Sequence, residues 1–200
     1  PSRGMPGSTH RSRCPAKAVW RGLGAAALLL WLGGPAAAQT AAVVVYDAGQ
    51  ENGQYFITME HLEGTTLEQI VSKRGPTSAA VVASLGLQIC AGLHYAHANK
   101  IIHRDIKTAN LFYTRERVVK IMDFGLAKMI EEVRKGATMI GGTPYYMAPE
   151  QALGQNVDHR ADLYALGVTW YHMLTGDTPF QGQSAREICL KHVNEAPPPL

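Results

Sequence analysis

Residues 103–110 bring a carboxylate, an ammonium group and a carboxamide close together in the chain. Asp105 could accept the proton of an attacking hydroxyl group, and Lys107 supplies a point charge suited to a phosphate. Asp123 comes thirteen residues after Asn110 and closely follows a strand-like segment, so its carboxylate projects from a strand end into a loop. Asn110 and Asp123 together offer the hard oxygen ligands that suit Mg²⁺. A metal, a neutralising charge and a placed nucleophile are what phosphoryl transfer requires.

Two further short motifs follow this segment, and all three occur in a fixed order. The motifs are His103-Arg104-Asp105 with Asn110, then Asp123-Phe124-Gly125, then Ala148-Pro149-Glu150. They match H-R-D-x-x-x-x-N, D-F-G and A-P-E, and on them the sequence resembles the eukaryotic-type protein kinase family. The resemblance covers residues 41 to about 192. The sequence of residues 142–151 is similar to that of bacterial serine/threonine kinases.

The resemblance implies transfer of the γ-phosphate of ATP to serine or threonine of a protein substrate, with Mg²⁺ as the metal. Asp105, Lys107 and Asn110 would be the catalytic residues, and Asn110 and Asp123 would bind the metal. In the nucleotide pocket, Met59 would be the gatekeeper behind the adenine. Leu111 and Phe112 would form the pocket floor, and the backbone of Glu60, His61 and Leu62 would be the hinge that hydrogen-bonds adenine.

Other roles implied by the resemblance concern loop order and substrate choice. Asp162 would anchor the catalytic loop through backbone N–H groups, and Arg104 would receive a phosphate on the activation loop. Thr138 is the candidate phosphate carrier, whereas Thr143 would order the site. Lys107 and Thr143 favour serine and threonine substrates over tyrosine. His103, Phe124 and Glu150 would be structural residues of the three motifs.

The first elements that must position these residues form a hairpin. β-Branched runs at 43–46 and 55–59 flank Asn52-Gly53, a dipeptide typical of hairpin turns, and Asp47-Ala48-Gly49 should end the first strand. Gly64 breaks the chain, after which Thr65 or Thr66 can cap a helix over residues 67–73 that ends at Gly75-Pro76.

A long helix should then run from Thr77 or Ser78 to about Ala98-Asn99. It buries one stripe of residues at helical spacing, namely Val82, Leu85, Ile89, Leu93 and Ala96. The remaining expected elements are strands over 111–113 and 118–121, a functional loop over 123–150, a helix over 162–174 that is buried on all sides, and a short amphipathic helix over 184–192. The resemblance implies an α+β, two-lobed protein-kinase-like fold, in which we expect a truncated small lobe, 41–59, on a mostly helical large lobe, 63–200.

The sequence before residue 47 departs from the kinase pattern. It contains no acidic residue, so the glutamate that should pair with a strand lysine is missing, and Lys17 is the only lysine before Lys73. The last helices of the family would follow Leu200. Three hypotheses remain: a serine/threonine kinase with a truncated or wrongly started sequence, a pseudokinase that binds nucleotide or a partner, and a secreted or lipid-facing protein with a decayed kinase remnant. Under each hypothesis, we expect phosphoryl transfer by this chain to be impaired.

Residues 1–40 form an atypical basic and apolar segment. A basic stretch, the apolar run 23–32 and small residues follow one another as in a secretory signal peptide. A short buried helix or a misframed start are the alternatives. The expected location is the cytoplasm, with anchoring or export through residues 1–38 as the alternative. Membrane association has support only from residues 23–38.

The composition of the chain excludes some classes of partner and of binding site. The chain has 200 residues, enough for one domain, and a net charge of +3. After residue 46, 14 Lys and Arg face 16 Asp and Glu, which excludes a uniformly basic nucleic-acid binder. Three scattered cysteines argue against a disulfide framework or a cysteine zinc site and favour a reducing compartment. The partners that the kinase resemblance implies are ATP and a protein substrate.

Overall fold

The computed structural model describes residues 41–51, 54–124 and 144–200. Predictions that concern residues 1–40, Thr138 and Thr143 lie outside these residues. The elements in chain order are β1 (Val45–Glu51), β2 (Gln54–Met59), β3 (Gly64–Thr66), α1 (Leu67–Arg74), α2 (Ala79–Ala98), β4 (Leu111–Thr114), β5 (Val119–Ile121), α3 (Pro149–Ala152), α4 (Arg160–Thr175) and α5 (Ala185–Asn194). Short 3₁₀ turns occur at Thr108–Asn110 and Pro144–Tyr146.

Strands β1 and β2 form the predicted antiparallel hairpin, in a register that pairs Val45 with Met59. The prediction that the first strand ends at residues 47–49 is wrong, because β1 continues to Glu51. A register irregularity between Val45 and Asp47 accommodates the polar residue within the ladder. Gly49 pairs with Phe56, whose ring covers the place where a Cβ of Gly49 would stand, so the glycine serves packing here.

A second antiparallel sheet has the strand order β3-β4-β5. Strand β3 was not predicted, since Gly64 was expected only to break the chain. Gly64 instead pairs with Thr114, and a Cβ on it would clash with the carbonyl oxygen of Tyr113. Close approach of the two strands therefore requires glycine. Helix α1 follows at once, with Thr66 as its N-cap accepting a hydrogen bond from Gln69 N at 3.2 Å.

Helix α2 supplies the centre of the core. The predicted stripe is confirmed, because Val82, Leu85, Ile89, Leu93 and Ala96 are all buried. Leu85, Ile89 and Leu93 belong to one cluster that also includes Leu111 and Ile121 of the sheet. Among the described helices, α2 is the one long and apolar enough to cross a membrane by length and composition. Its buried stripe accounts for part of that hydropathy.

Helix α4 crosses the core and ends at Gly176, whose φ of 92° is left-handed. Its first turn buries Ala161 and Asp162 completely or nearly so. The prediction of a helix buried on all sides is wrong at Leu163, which is 49% exposed. A helix at the edge of a small core keeps one solvent face even where its sequence is almost wholly apolar.

The segment that leads into β1 packs directly on the second sheet. Ile121 N donates to Ala41 O at 2.7 Å, and Val43 N donates to Ile121 O at 3.1 Å. Ala41 and Val43 are buried. Gly92 of α2 allows this approach, because a Cβ there would stand 2.9 Å from the Cβ of Ala41. The hairpin is thereby connected to the large-lobe core through β5.

Candidate active site

The carboxylate of Asp162 organises the loop that contains the candidate base. It lies in the first turn of α4 and has no solvent exposure. Oδ1 accepts from Arg104 N at 2.7 Å, and Oδ2 accepts from His103 N at 2.9 Å. The same Oδ2 lies 2.7 Å from Nε2 of His97. The charge of Asp162 is therefore compensated by two backbone donors and one imidazole, which is what a buried carboxylate needs.

His103 connects the two loops of the site. Its Nε2 lies 2.7 Å from the carbonyl oxygen of Met122, and its Nδ1 accepts from Asp105 N at 3.2 Å. A neutral ring protonated on Nε2 satisfies both contacts. Burial lowers the pKa of His103, although the Met122 hydrogen bond and nearby carboxylates act in the opposite direction. The ring of Phe124 packs edge-on against it, with centroids 4.8 Å apart.

Asp105, Lys107 and Asn110 form one hydrogen-bonded cluster. Lys107 Nζ lies 2.7 Å from Asp105 Oδ2. Asn110 Nδ2 donates to the same Oδ2 at 3.1 Å and to the backbone oxygen of Asp105 at 2.8 Å. The side chains of Asp105 and Lys107 are 26% and 20% exposed, so both can reach a bound molecule. Asn110 is buried and fixes the loop that carries the carboxylate.

Asp123 stands beside this cluster. Met122 N donates to Asn110 O at 2.8 Å, which holds the end of β5 against the catalytic loop. The side chain of Asp123 is exposed, and its backbone φ is 62°. Arg104, in the facing loop, has a φ of 68°. Left-handed backbone in residues other than glycine is costly and is concentrated at functional sites, where the surrounding hydrogen bonds impose it.

The donor set suits a magnesium ion carried in with a phosphate. Within the parts of the chain that the structure describes, no group of three or more His, Cys, Asp or Glu side chains could hold a metal alone. Mg²⁺ needs fewer protein ligands, because it retains waters and takes phosphate oxygens. Asn110 donates its amide nitrogen to Asp105, which leaves Oδ1 as the atom that could bind a metal. The exposed carboxylate of Asp123 could supply a second oxygen ligand.

Comparison with known proteins agrees with this arrangement. Residues 38–197 match the protein kinase domain family. The chain belongs to the protein kinase family. The chain is 41% identical over 167 residues, or 78% of its length, to the serine/threonine-protein kinase pkn3 of Myxococcus xanthus. It is 39% identical over 166 residues, or 80% of its length, to the serine/threonine-protein kinase PknB of Mycobacterium tuberculosis.

The alignment covers 30% of the Myxococcus kinase and 26% of the Mycobacterium kinase, so the chain spans about a quarter to a third of the length of these relatives. Family membership confirms the predicted resemblance and the α+β kinase-like fold. Protein kinases use ATP with Mg²⁺ and act on protein substrates.

The residues predicted to form the hinge, Glu60 to Leu62, lie between β2 and β3. Met59 is 40% exposed at the end of β2, and His61 is exposed beyond it. Phe112 is half-buried on β4 and is available as a pocket floor. The prediction that Leu111 shares this role is wrong, because Leu111 is fully buried in the core. Adjacent residues of a strand point to opposite faces, so only one of the two can face the pocket.

One pair beside the hinge was not predicted. Lys120 Nζ lies 2.9 Å from Oε1 of Glu60, in a setting where both side chains are mostly shielded from solvent. A cavity of about 340 Å³ borders the pair and the hinge up to Glu63. The sequence signal was present but overlooked: a lysine alternates with the buried Val119 and Ile121 in β5, and hence occupies the other face of the sheet.

A second unpredicted link joins the catalytic loop to the segment before A-P-E. Tyr146 Oη lies 3.1 Å from Thr108 Oγ1 and 2.7 Å from His172 Nδ1. Thr108 is fully buried, and Tyr146 is 7% exposed.

Of the other predicted residues, Glu150 is half-buried in the first turn of α3. Arg104 is half-buried and accepts from Gln151 Nε2 through its backbone oxygen at 3.1 Å.

Proposed function

We propose that this chain is the catalytic segment of a serine/threonine protein kinase that transfers the γ-phosphate of ATP to a protein hydroxyl group. The observation that carries the proposal is the cluster of Asp105, Lys107 and Asn110, tied to the backbone before Asp123 through the 2.8 Å bond from Met122 N to Asn110 O. Both relatives described above are named serine/threonine-protein kinases, which supports serine and threonine as the acceptor residues.

In this proposal each polar side chain has one task. The carboxylate of Asp105 orients the substrate hydroxyl and accepts its proton in the transfer step. Lys107, 2.7 Å from Asp105, neutralises charge that develops on the transferring phosphoryl group. Asn110 and Asp123 would hold Mg²⁺. When bound there, Mg²⁺ would neutralise negative charge on the phosphates and help to orient the group to be transferred.

The adenine would lie between the hinge and β4. The backbone of Glu60, His61 and Leu62 would hydrogen-bond the base, Phe112 would pack beneath it and Met59 would stand behind it. The half-buried position of Phe112 supports this assignment. The small lobe would comprise residues 41–59 and the large lobe residues 63–200.

Regulation would act through the loop between Asp123 and Glu150. We propose that a phosphate on Thr138 pairs with Arg104, whose guanidinium side chain follows His103 in the catalytic loop, and that Thr143 orders the substrate site. The proposed partners are ATP and proteins that present serine or threonine, without nucleic acid. The proposed location is the cytoplasm, where ATP is available.

A second candidate function is a pseudokinase that binds nucleotide or a partner with little transfer. It is favoured by the composition of residues 1–46, which contain no acidic residue and so do not supply the glutamate that would hold a phosphate-binding lysine. Losing one preorganised electrostatic group lowers a rate by about 10²–10³. The two candidates therefore differ in turnover and agree in nucleotide binding.

The test measures Mg²⁺-dependent ADP binding and transfer of labelled γ-phosphate to a generic basic protein. Binding with turnover near about 1 s⁻¹ establishes a working kinase, and binding with transfer reduced by about 10² or more favours the pseudokinase. Asp105→Asn should abolish transfer and retain ADP binding, since a base acts in the chemical step. Asp123→Ala reports any contaminating kinase. Failure to bind ADP would refute both functions.

A further inference from the structure

The carboxylate of Glu60 joins three segments of the chain. Its Oε1 accepts from Val44 N at 2.8 Å and from Lys120 Nζ at 2.9 Å. The backbone of the same residue is also fixed, because Glu60 N donates to Val44 O at 2.9 Å. Lys120 Nζ lies 3.4 Å from Ala42 O as well. One lysine thus connects β5 to the first hinge residue and to the segment that enters β1.

The Lys120–Glu60 ion pair is shielded from solvent, unlike the Arg115–Glu63 ion pair, whose cation belongs to the same β4–β5 hairpin. The side chains of Lys120 and Glu60 are 13% and 20% exposed, whereas those of Arg115 and Glu63 are 76% and 55% exposed. Exposed ion pairs contribute little, because water and salt screen them and their side chains must be ordered. A shielded carboxylate that loses its cation retains the cost of desolvation and moves to recover solvent. Lys120, together with Val44 N, therefore determines where the carboxylate of Glu60 stands.

Polar contacts hold both ends of the hinge: those of Glu60 at its start, and the hydrogen bond from Arg115 N to Glu63 O at 3.0 Å just beyond its end. Residues Glu60 to Glu63 line a cavity of about 340 Å³ with Thr114, Val118 and Lys120 on its opposite wall. His61 and Glu63 are exposed. The hydrogen bonds of Glu60 therefore fix the start of the hinge, next to the backbone that would bind the base.

The register of the second sheet relates this pair to the adenine site. Lys120 is the cross-strand partner of Phe112 in the β4–β5 ladder, so both side chains stand on the same face of the sheet. Phe112 is the proposed floor of the pocket, and Glu60 begins the proposed hinge. Lys120 therefore links two parts of the proposed adenine site. It lies beside Phe112, the proposed floor, and its side chain reaches Glu60, the first residue of the proposed hinge.

We propose that Lys120 is a positioning residue for nucleotide binding: by holding the Glu60 carboxylate, it sets the hinge backbone at the distance from Phe112 that an adenine ring requires. This inference rests on the proposed function, because it concerns the same nucleotide site. Lys120 acts through Glu60 and need not touch the nucleotide. Its loss should weaken recognition of the base and leave recognition of the phosphates unchanged.

The experiment compares two probes by titration calorimetry in the presence of Mg²⁺, namely ADP and inorganic tripolyphosphate. Lys120→Met should weaken ADP binding about tenfold, the effect expected for loss of one charge-assisted hydrogen bond. The affinity for tripolyphosphate should change by less than about twofold, because this probe has no adenine base. Lys120→Arg should restore most of the ADP affinity. Arg115→Met is the matched control, since it removes a cation from the same hairpin without contacting Glu60, and it should change neither probe.

A double-variant cycle shows whether the effect passes through Glu60. Glu60→Gln removes the charge that Lys120 holds, so Lys120→Met should have no further effect in that background. Equal weakening of both probes, or an undiminished effect in the Glu60→Gln background, would overturn the inference. So would unchanged ADP binding by Lys120→Met while the unaltered chain binds ADP. If the unaltered chain binds neither probe, the proposed function itself is wrong.

Discussion

The phenol oxygen of Tyr146 lies 2.7 Å from Nδ1 of His172, and through it α4 is joined to the catalytic loop at Thr108. Tyr146→Phe removes the shared hydroxyl and leaves the buried Thr108 Oγ1 and the half-buried His172 Nδ1 without it. We expect a loss of about 1–2 kcal/mol in the free energy of unfolding. Urea titration followed by circular dichroism measures this loss. Tyr145→Phe deletes a hydroxyl one residue earlier and should cost less than half as much.

Stability should fall in mild acid because three histidines fold in their neutral form. Burial lowers the pKa of His103, His172 and His192 below the ordinary value of about 6.5. The unfolded chain then binds more protons than the folded chain, so the contribution is complete above about pH 6.5 and is lost as the pH falls towards the folded pKa values. Each histidine can contribute up to about 1.4 kcal/mol per pH unit in that window.

The measurement is the free energy of unfolding between pH 5 and pH 8. Replacing His172 by glutamine should make the acid limb less steep, because one of the three proton-linked groups is gone. His94→Gln, at an exposed position on α2, is the control and should leave the slope unaltered. A stability that stays level from pH 7 to pH 5.5 would show that these histidines are not buried as described.

The sequence predicted the long helix and the hairpin because their signals are local. The spacing of Leu85, Ile89 and Leu93 defines one helix face without knowledge of what covers it, and Asn52-Gly53 favours a turn on its own. The end of β1 was missed because cross-strand pairing carries Asp47 and Gly49 in a ladder that their own propensities disfavour.

The site was predictable where a motif carries its own geometry and unpredictable where distant residues meet. The hydrogen bonds of Asp162 to the loop before Asp105 join residues 58 and 59 positions apart, and only the kinase resemblance indicated them. Lys120 and His172 belong to no such motif. Their partners, Glu60 and Tyr146, are 60 and 26 residues away, so only tertiary structure reveals the contacts.

Asp162 should be among the most costly residues to replace. Asp162→Ala leaves the buried N–H groups of His103 and Arg104 without their acceptor, and we expect a loss of about 3–5 kcal/mol in the free energy of unfolding. Asp158→Ala is the matched control, because that carboxylate pairs with Arg160 at the surface and its loss should lower stability far less. Equal losses in the two variants would contradict the anchoring role of Asp162.

Two glycines test whether the segment before β1 packs on α2. Gly92→Ala would place a Cβ 2.9 Å from the Cβ of Ala41 and 3.0 Å from Cδ1 of Ile121. We expect overpacking of about 1–3 kcal/mol to outweigh the gain of up to about 1 kcal/mol in helix propensity. Gly167→Ala meets nothing within 4 Å on α4 and should stabilise by that gain alone. Thermal unfolding of both variants decides the matter: a Gly92→Ala chain as stable as Gly167→Ala would mean that Ala41 does not lie against the helix.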